Sequence, residues 1–266
     1  MQHIVGKILV IFVVIIGVLF IFKTIKTSST KPVSIEVKQN EEPKQCEEER
    51  VKKIIEEYLL NTPEIIIQSI ENLQKRKVQE SETKVNSYIK DNKLDIENSQ
   101  NFPVIGNKDG DITIVAFYDY SCSYCKKGDV SLNELLQNDP EVKILLRPLP
   151  ILGDASDYLA KIALAVYKIN PNKFKAVHSE LMKIRNVSKE TVEELLAKND
   201  LNITEVEEIA DSSDIRDLIA QNMQIARNLK IQGVPAYVIN ARLIPGSVDF
   251  PQLLSIVKEI RDSKDS

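Results

Sequence analysis

A run of β-branched and apolar residues, Ile112, Thr113, Ile114, Val115 and Ala116, leads directly into Phe-Tyr-Asp-Tyr-Ser-Cys-Ser-Tyr-Cys over residues 117–125. Its shortness and β-branching suit a strand covered on both faces. Behind the cysteines, Leu132, Leu135 and Leu136 recur at helical spacing, so a helix opens at Cys122-x-x-Cys125 with Ser121 as its N-cap. Few folds place such a pair between a buried strand and a helix N-terminus. A thiol there meets unpaired N–H groups and the positive end of the helix dipole, and both favour the thiolate. Cys122 is therefore the expected nucleophile. Cys125, one turn further in, faces the strand as the more buried resolving partner that closes the disulfide. Lys126 and Lys127 add to thiolate stabilisation if they lie near the sulfur, whereas Tyr124 is neutral and cannot.

Half of a zinc site uses the same spacing, but it needs a second group of Cys or His ligands. Cys46, His3 and His178 are scattered singly. The redox reading is preferred, and it needs neither metal nor cofactor. The net charge of −4 over 266 residues offers no basic field, so no nucleic-acid partner is expected.

Residues 1–22 form an export segment: Lys7 precedes the apolar run Ile8 to Phe22, and Lys23 and Lys26 follow. The run is short for a full span of roughly 20 residues and sits at the upper limit of a signal-peptide core. It reads as a signal peptide or a signal anchor, with a buried core helix as the bland alternative. The expected location is the periplasm, either free or anchored to the inner membrane. An oxidising compartment suits a dithiol that donates its disulfide. Residues 23–45, polar and broken by Pro32 and Pro43, read as a flexible linker. Cys46 is an odd third cysteine, read as a free thiol with an inter-subunit bond as the alternative.

Residues 46–100 read as a helical stalk. Val51, Ile54, Ile55, Tyr58 and Leu59 mark one amphipathic helix ending at Asn61, and Thr62-Pro63-Glu64 opens a second. Its face of Ile66, Ile67, Ile70 and Leu73 is interrupted by charge before Val85, Tyr88 and Ile89 resume. Such a helix packs either on its own domain or on a copy of itself in a homo-oligomer. Within residues 101–266 the reading is a short strand over residues 102–105, the central strand, the cysteine helix and a parallel strand over residues 142–146. A helical insertion over about residues 154–230 follows, with Asn170-Pro171 as a stop and Thr204-x-x-Glu207 as a capping box. A strand over residues 234–239, a short partner over residues 243–246 across an Asn240-Ala241 turn, and a last helix over residues 251–260 close the chain.

The ordered set Phe117-x-Asp119-x-x-Cys122-x-x-Cys125, Pro150-Ile151-Leu152-Gly153, Gly233-Val234-Pro235-Ala236 and Ile244-Pro245-Gly246 resembles the DsbA-like thioredoxin-fold family over about residues 102–261. The helices before it resemble the stalk of the Com1 and ScsC branch, whose members include oligomeric isomerases. The implied class is α/β: a thioredoxin fold with a helical insertion, preceded by a helical stalk and an export segment. The resemblance also implies Cys122 and Cys125 as a redox-active disulfide pair, and Pro235 in the cis form with Val234 presenting its backbone to an extended substrate. An ordinary strand-edge proline is the alternative for Pro235. Ser123-Tyr124 stands where the best-known members carry Pro-His, so a strongly oxidising potential does not carry over. Asp119 is read as structural, and His178 as a surface or packing histidine.

The implied activity is thiol-disulfide exchange on unfolded or reduced exported proteins, with a DsbB-like membrane oxidase as the partner that restores the disulfide. The alternatives are an oligomeric isomerase or reductase of the same fold and a non-catalytic peptide-binding surface module.

Overall fold

The computed structural model describes residues 42–264; the export segment and most of the linker lie outside the described residues. Among the described residues no helix is long and apolar enough to cross a membrane. The chain divides into two compact units after Ile66. The first carries helix α1 (Glu42–Asn61), which starts inside the stretch read as a linker and ends at the expected Asn61. Cys46 is exposed on it.

The second unit holds the rest of helix α2 (Glu64–Asp91), the short α3 (Lys93–Ile96) and a five-stranded sheet. The apolar stripe of α2 changes from exposed to buried along the helix. Ile67, Ile70 and Leu73 stay exposed, whereas Val85, Ile89 and Ile96 are buried in the same cluster as the sheet residues Val115 and Phe117.

Strands β1 (Val104–Gly106), β2 (Ile112–Tyr118), β3 (Val142–Pro148), β4 (Ala236–Ile239) and β5 (Arg242–Pro245) lie in the order β1-β3-β2-β4-β5. The β2–β3 pair is parallel, as the strand-helix-strand series predicts, and the other pairs are antiparallel. Alternation along β2 sends Ile112, Ile114, Ala116 and Tyr118 to one face and Val115 and Phe117 to the other. The first face is covered by α4 (Ser123–Asn138) and α10 (Phe250–Lys264), through Leu132, Leu135, Leu253 and Val257.

The insertion comprises α5 (Asp154–Ile169), α6 (Pro171–Leu181), α7 (Lys189–Lys198), α8 (Ile203–Ala210) and α9 (Ser213–Asn228). It reaches both faces of the sheet rather than sitting over one end. Ala160 and Leu164 of α5 join Ile215 and Ile219 of α9 on the second face, while Leu159 and Ile162 join the first. Two local readings change. Asn170 ends α5 and also caps α6, its side chain accepting from the Asn172 N–H, with Pro171 as the first helical residue. The cap of α8 is Asn202, which accepts from the Thr204 and Glu205 N–H groups, so Thr204 and Glu207 form no capping box. Glu207 pairs instead with Lys189 at 2.9 Å.

Arg147 of β3 is fully buried, and no salt bridge to it is formed among the described residues. Its guanidinium donates to the carbonyls of Ile96, Asp95 and Asn98 at 3.0, 2.8 and 3.1 Å and to Asn222 Oδ1 at 2.8 Å. It also lies 4.3 Å over the Phe102 ring. Burial pulls its pKa down to about 10, still charged at neutral pH. Arg147 thus fastens the carbonyl end of α3, which follows α2, to the sheet and to α9. Replacing Arg147 by Met removes this donor from the buried Ile96 carbonyl and Asn222 Oδ1, and urea unfolding should report a loss of roughly 3 kcal/mol.

Candidate redox site

Register brings distant residues to one edge of the sheet. Because β2 and β4 are antiparallel with Phe117 opposite Ala236, the end of β2 meets the start of β4. The loop after Tyr118 is therefore adjacent to Val234 and Pro235, and the Val234–Pro235 peptide bond is cis. Cys122 Sγ donates to the Val234 carbonyl at 3.4 Å.

Cys122 itself caps α4, its sulfur accepting from the Cys125 N–H at 3.3 Å. Ser121 is thus not the cap: its N–H donates to Asp119 Oδ1 at 2.8 Å, which folds the loop and places the next residue at the helix start. Cys122 is 6 % exposed and Cys125 2 %, and both are free thiols. Cys125 accepts from the Asp119 N–H at 3.4 Å, yet burial outweighs that bond and pushes its thiol well above the ordinary range.

Asp119 is structural, as read. Besides Ser121 it accepts from the Ile151 and Leu152 N–H groups at 2.9 and 3.1 Å, joining the loop after β2 to the loop after β3. This holds Ile151 and Leu152 beside the thiol loop, where they and Tyr124 form an exposed apolar rim. Neither lysine is held on a sulfur. Lys126 Nζ donates to the Ile184 carbonyl, and Lys127 Nζ lies 5.5 Å from the Tyr124 ring centroid. Burial, with Arg185 nearby, lowers the Lys126 pKa.

His178 is neither a surface residue nor a simple packing residue. It is buried and stacked on Phe174, with Nδ1 2.8 Å from the Tyr120 hydroxyl and Nε2 3.1 Å from Asp129 Oδ1. Sequence spacing places Asp129 one turn beyond Cys125 on α4, but nothing along the chain couples it to position 178. Gly128 was detectable as a lone glycine inside a helical pattern, which often marks a close approach. A Cβ there would collide with the hydroxyl of Tyr237, whose ring is buried. A groove of about 540 Å³ runs beside Val234 and Pro235, with Val78, Glu82, Ile231 and Pro245 among its walls.

Two outcomes follow from this geometry. Gly128→Ala should destabilise the fold by roughly 1–3 kcal/mol through overpacking, and adding Tyr237→Phe should recover much of that loss in thermal melts. A raised thiol pKa keeps Cys125 protonated in the fold, so alkylation at about pH 8 followed by mass spectrometry should label Cys122 and spare Cys125. The same shift stabilises the fold fully below the ordinary thiol pKa of about 8.5, and that contribution declines as pH rises further.

Known proteins resemble this chain in sequence and in overall fold. Residues 113–258, more than half of the chain, match the family described as "DSBA-like thioredoxin domain", and residues 47–80 match "Copper resistance protein ScsC N-terminal domain". The catalytic domain of Proteus mirabilis ScsC is 31 % identical with a TM-score of 0.60, covering 65 % of this chain and 97 % of that one. A thioredoxin-like oxidoreductase from Silicibacter pomeroyi is 34 % identical with a TM-score of 0.61, covering 64 % of this chain and 98 % of that one. A probable disulfide bond formation protein D of Bacillus cereus is 27 % identical over 172 residues, 59 % of this chain and 78 % of that protein. With the match running from the central strand through the cysteine helix and the insertion into the last helix, the chain belongs to the DsbA-like thioredoxin-domain family of protein-disulfide oxidoreductases.

Proposed function

We propose that the protein forms disulfide bonds in exported proteins of the periplasm by exchange through Cys122 and Cys125. The reading rests on one observation: the less buried sulfur, Cys122, lies against the Val234 carbonyl at the cis-proline loop, while Cys125 sits behind it. A substrate thiolate attacks Cys122 Sγ, giving a mixed disulfide and releasing Cys125; a second substrate thiol then attacks the substrate sulfur, leaving the pair reduced. Val234 and Pro235 border the groove in which an extended peptide lies, and the rim of Tyr124, Ile151 and Leu152 suits unfolded rather than folded partners. The pair is returned to the disulfide by a membrane oxidase of the DsbB kind. Export by residues 1–22, cleaved or retained as an inner-membrane anchor, places the protein where disulfides persist.

A second reading, an isomerase working as a homo-oligomer through the stalk, is favoured by the exposed apolar residues Val51, Ile54, Ile55 and Tyr58 of α1. Sedimentation of the part from Lys31 onward tests it, with Ile54→Asp and Ile55→Asp together expected to reduce the assembly to monomers.

Cys122→Ser should abolish oxidation of a reduced, unfolded substrate followed by loss of free thiol, whereas a peptide-binding module without catalysis would keep its substrate affinity. Equilibration in graded glutathione buffers sets the direction. A potential near roughly −120 mV supports disulfide donation, and one near roughly −270 mV supports a reductase or an isomerase kept reduced.

A further inference from the structure

Closing or opening the Cys122–Cys125 bond requires a proton to leave or reach Cys125, a thiol sealed from water. Asp119 is an unsuitable carrier because its carboxylate is committed to three backbone N–H groups. Tyr118 from β2, Tyr237 from β4 and Tyr120 share the buried cluster of that thiol, and Tyr120 is linked onward to His178 of α6 and Asp129 of α4.

That set is a directed chain. The Asp129 carboxylate can only accept, so His178 donates to it from Nε2, which leaves Nδ1 to accept from the Tyr120 hydroxyl. Tyr120 oxygen in turn accepts from the Tyr118 hydroxyl at 3.1 Å. Every donor points from the thiol side toward Asp129, and Tyr118 shares the buried cluster of Cys125. At the far end, Asp129 is held by the Asn133 amide at 3.0 Å and opens on a groove of about 1000 Å³ between α4 and α6. Lys126, Lys175, Lys183 and Arg185 line that groove.

We propose that Tyr118, Tyr120, His178 and Asp129 form the route by which the proton of Cys125 exchanges with the solvent in this groove. The proposal rests on the redox reading of the cysteine pair. When the Cys125 sulfur attacks Cys122 in a mixed disulfide, the Cys122–Cys125 bond forms and the partner sulfur leaves as a thiolate with the bonding pair. The Cys125 proton passes to the Tyr118 oxygen, each following hydroxyl or ring nitrogen hands on its own proton, and Asp129 releases one to water. In the opposite direction a substrate thiolate opens the bond and the released Cys125 thiolate draws a proton back along the same atoms. Burial pushes the Tyr118 and Tyr120 hydroxyls above their ordinary pKa, so they relay a proton without resting as phenolates. His178 and Asp129 are positioning residues, since they reach the reacting thiol only through Tyr120 and Tyr118.

The test follows the reduced protein reacting with an aromatic disulfide whose thiolate is coloured. In a Cys46→Ser background, which removes the exposed third thiol, attack by Cys122 releases a first equivalent of colour, and closure by Cys125 releases a second. Asp129→Asn and Tyr120→Phe should slow the second phase by roughly tenfold or more at about pH 7. The first phase should stay within about twofold, and the deficit should shrink as rising pH lets hydroxide replace the relay. A second phase equal to that of the Cys46→Ser parent at every pH, or both phases slowed alike with no pH dependence, overturns the route. Should Tyr120→Phe fail to fold, Asp129→Asn at the groove edge decides alone, and folding is checked by circular dichroism. A Cys46→Ser parent that releases no second equivalent would instead refute the redox reading itself.

Discussion

The site depends on the carboxylate of Asp119. By accepting one N–H from its own loop and two from the loop after β3, it welds together the ends of two neighbouring strands that share no turn. Charge-assisted bonds of this kind are about twice as strong as neutral ones. The Ser121 bond sets where the helix begins, which puts a cysteine sulfur in the capping position usually taken by an oxygen. The Ile151 and Leu152 bonds hold apolar side chains at the mouth of the site. One buried carboxyl group therefore orders the thiol loop and the exposed apolar side chains of Ile151 and Leu152 together.

The two thiols differ through depth more than through chemistry. Both lie at the first turn of one helix, but Cys125 is 2 % exposed within the core that Tyr118 of β2 and Tyr237 of β4 share. The insertion does more than cover the sheet. It carries Phe174 and His178 into the space beside the redox helix and, through α9, supplies Asn222 to Arg147 on the opposite face. Arg147 pairs with Phe117, one residue before Tyr118 ends β2, so Tyr118 and Arg147 belong to opposite faces of the sheet.

Arg147 shows how a polar group can be stable in a core without an ion pair. Carbonyls left open near the end of a short helix accept its protons, and an aromatic face takes the cation. Reading along the chain finds no such arrangement, since its acceptors are backbone atoms whose identity carries no residue signal. The same limit hid the role of His178. Its partners lie 58 and 49 residues away, and only the packing of α6 on α4 brings them together.

Local chemistry made much of this protein legible in its sequence. The β-branched run before Cys122, the leucines after it and the glycines and prolines between elements define the strands, the redox helix and the order of the fold, because period and turn chemistry act over a few residues. The interruption in the α2 stripe also marked, in advance, where exposure gives way to burial. Tertiary structure alone decided the rest: that Cys122 and not Ser121 caps the helix, that Asn202 displaces the Thr204 box, that the division falls after Ile66, and that Asp129 meets His178. In each case several local partners satisfy the backbone equally well, and the choice among them is made by which groups folding removes from water.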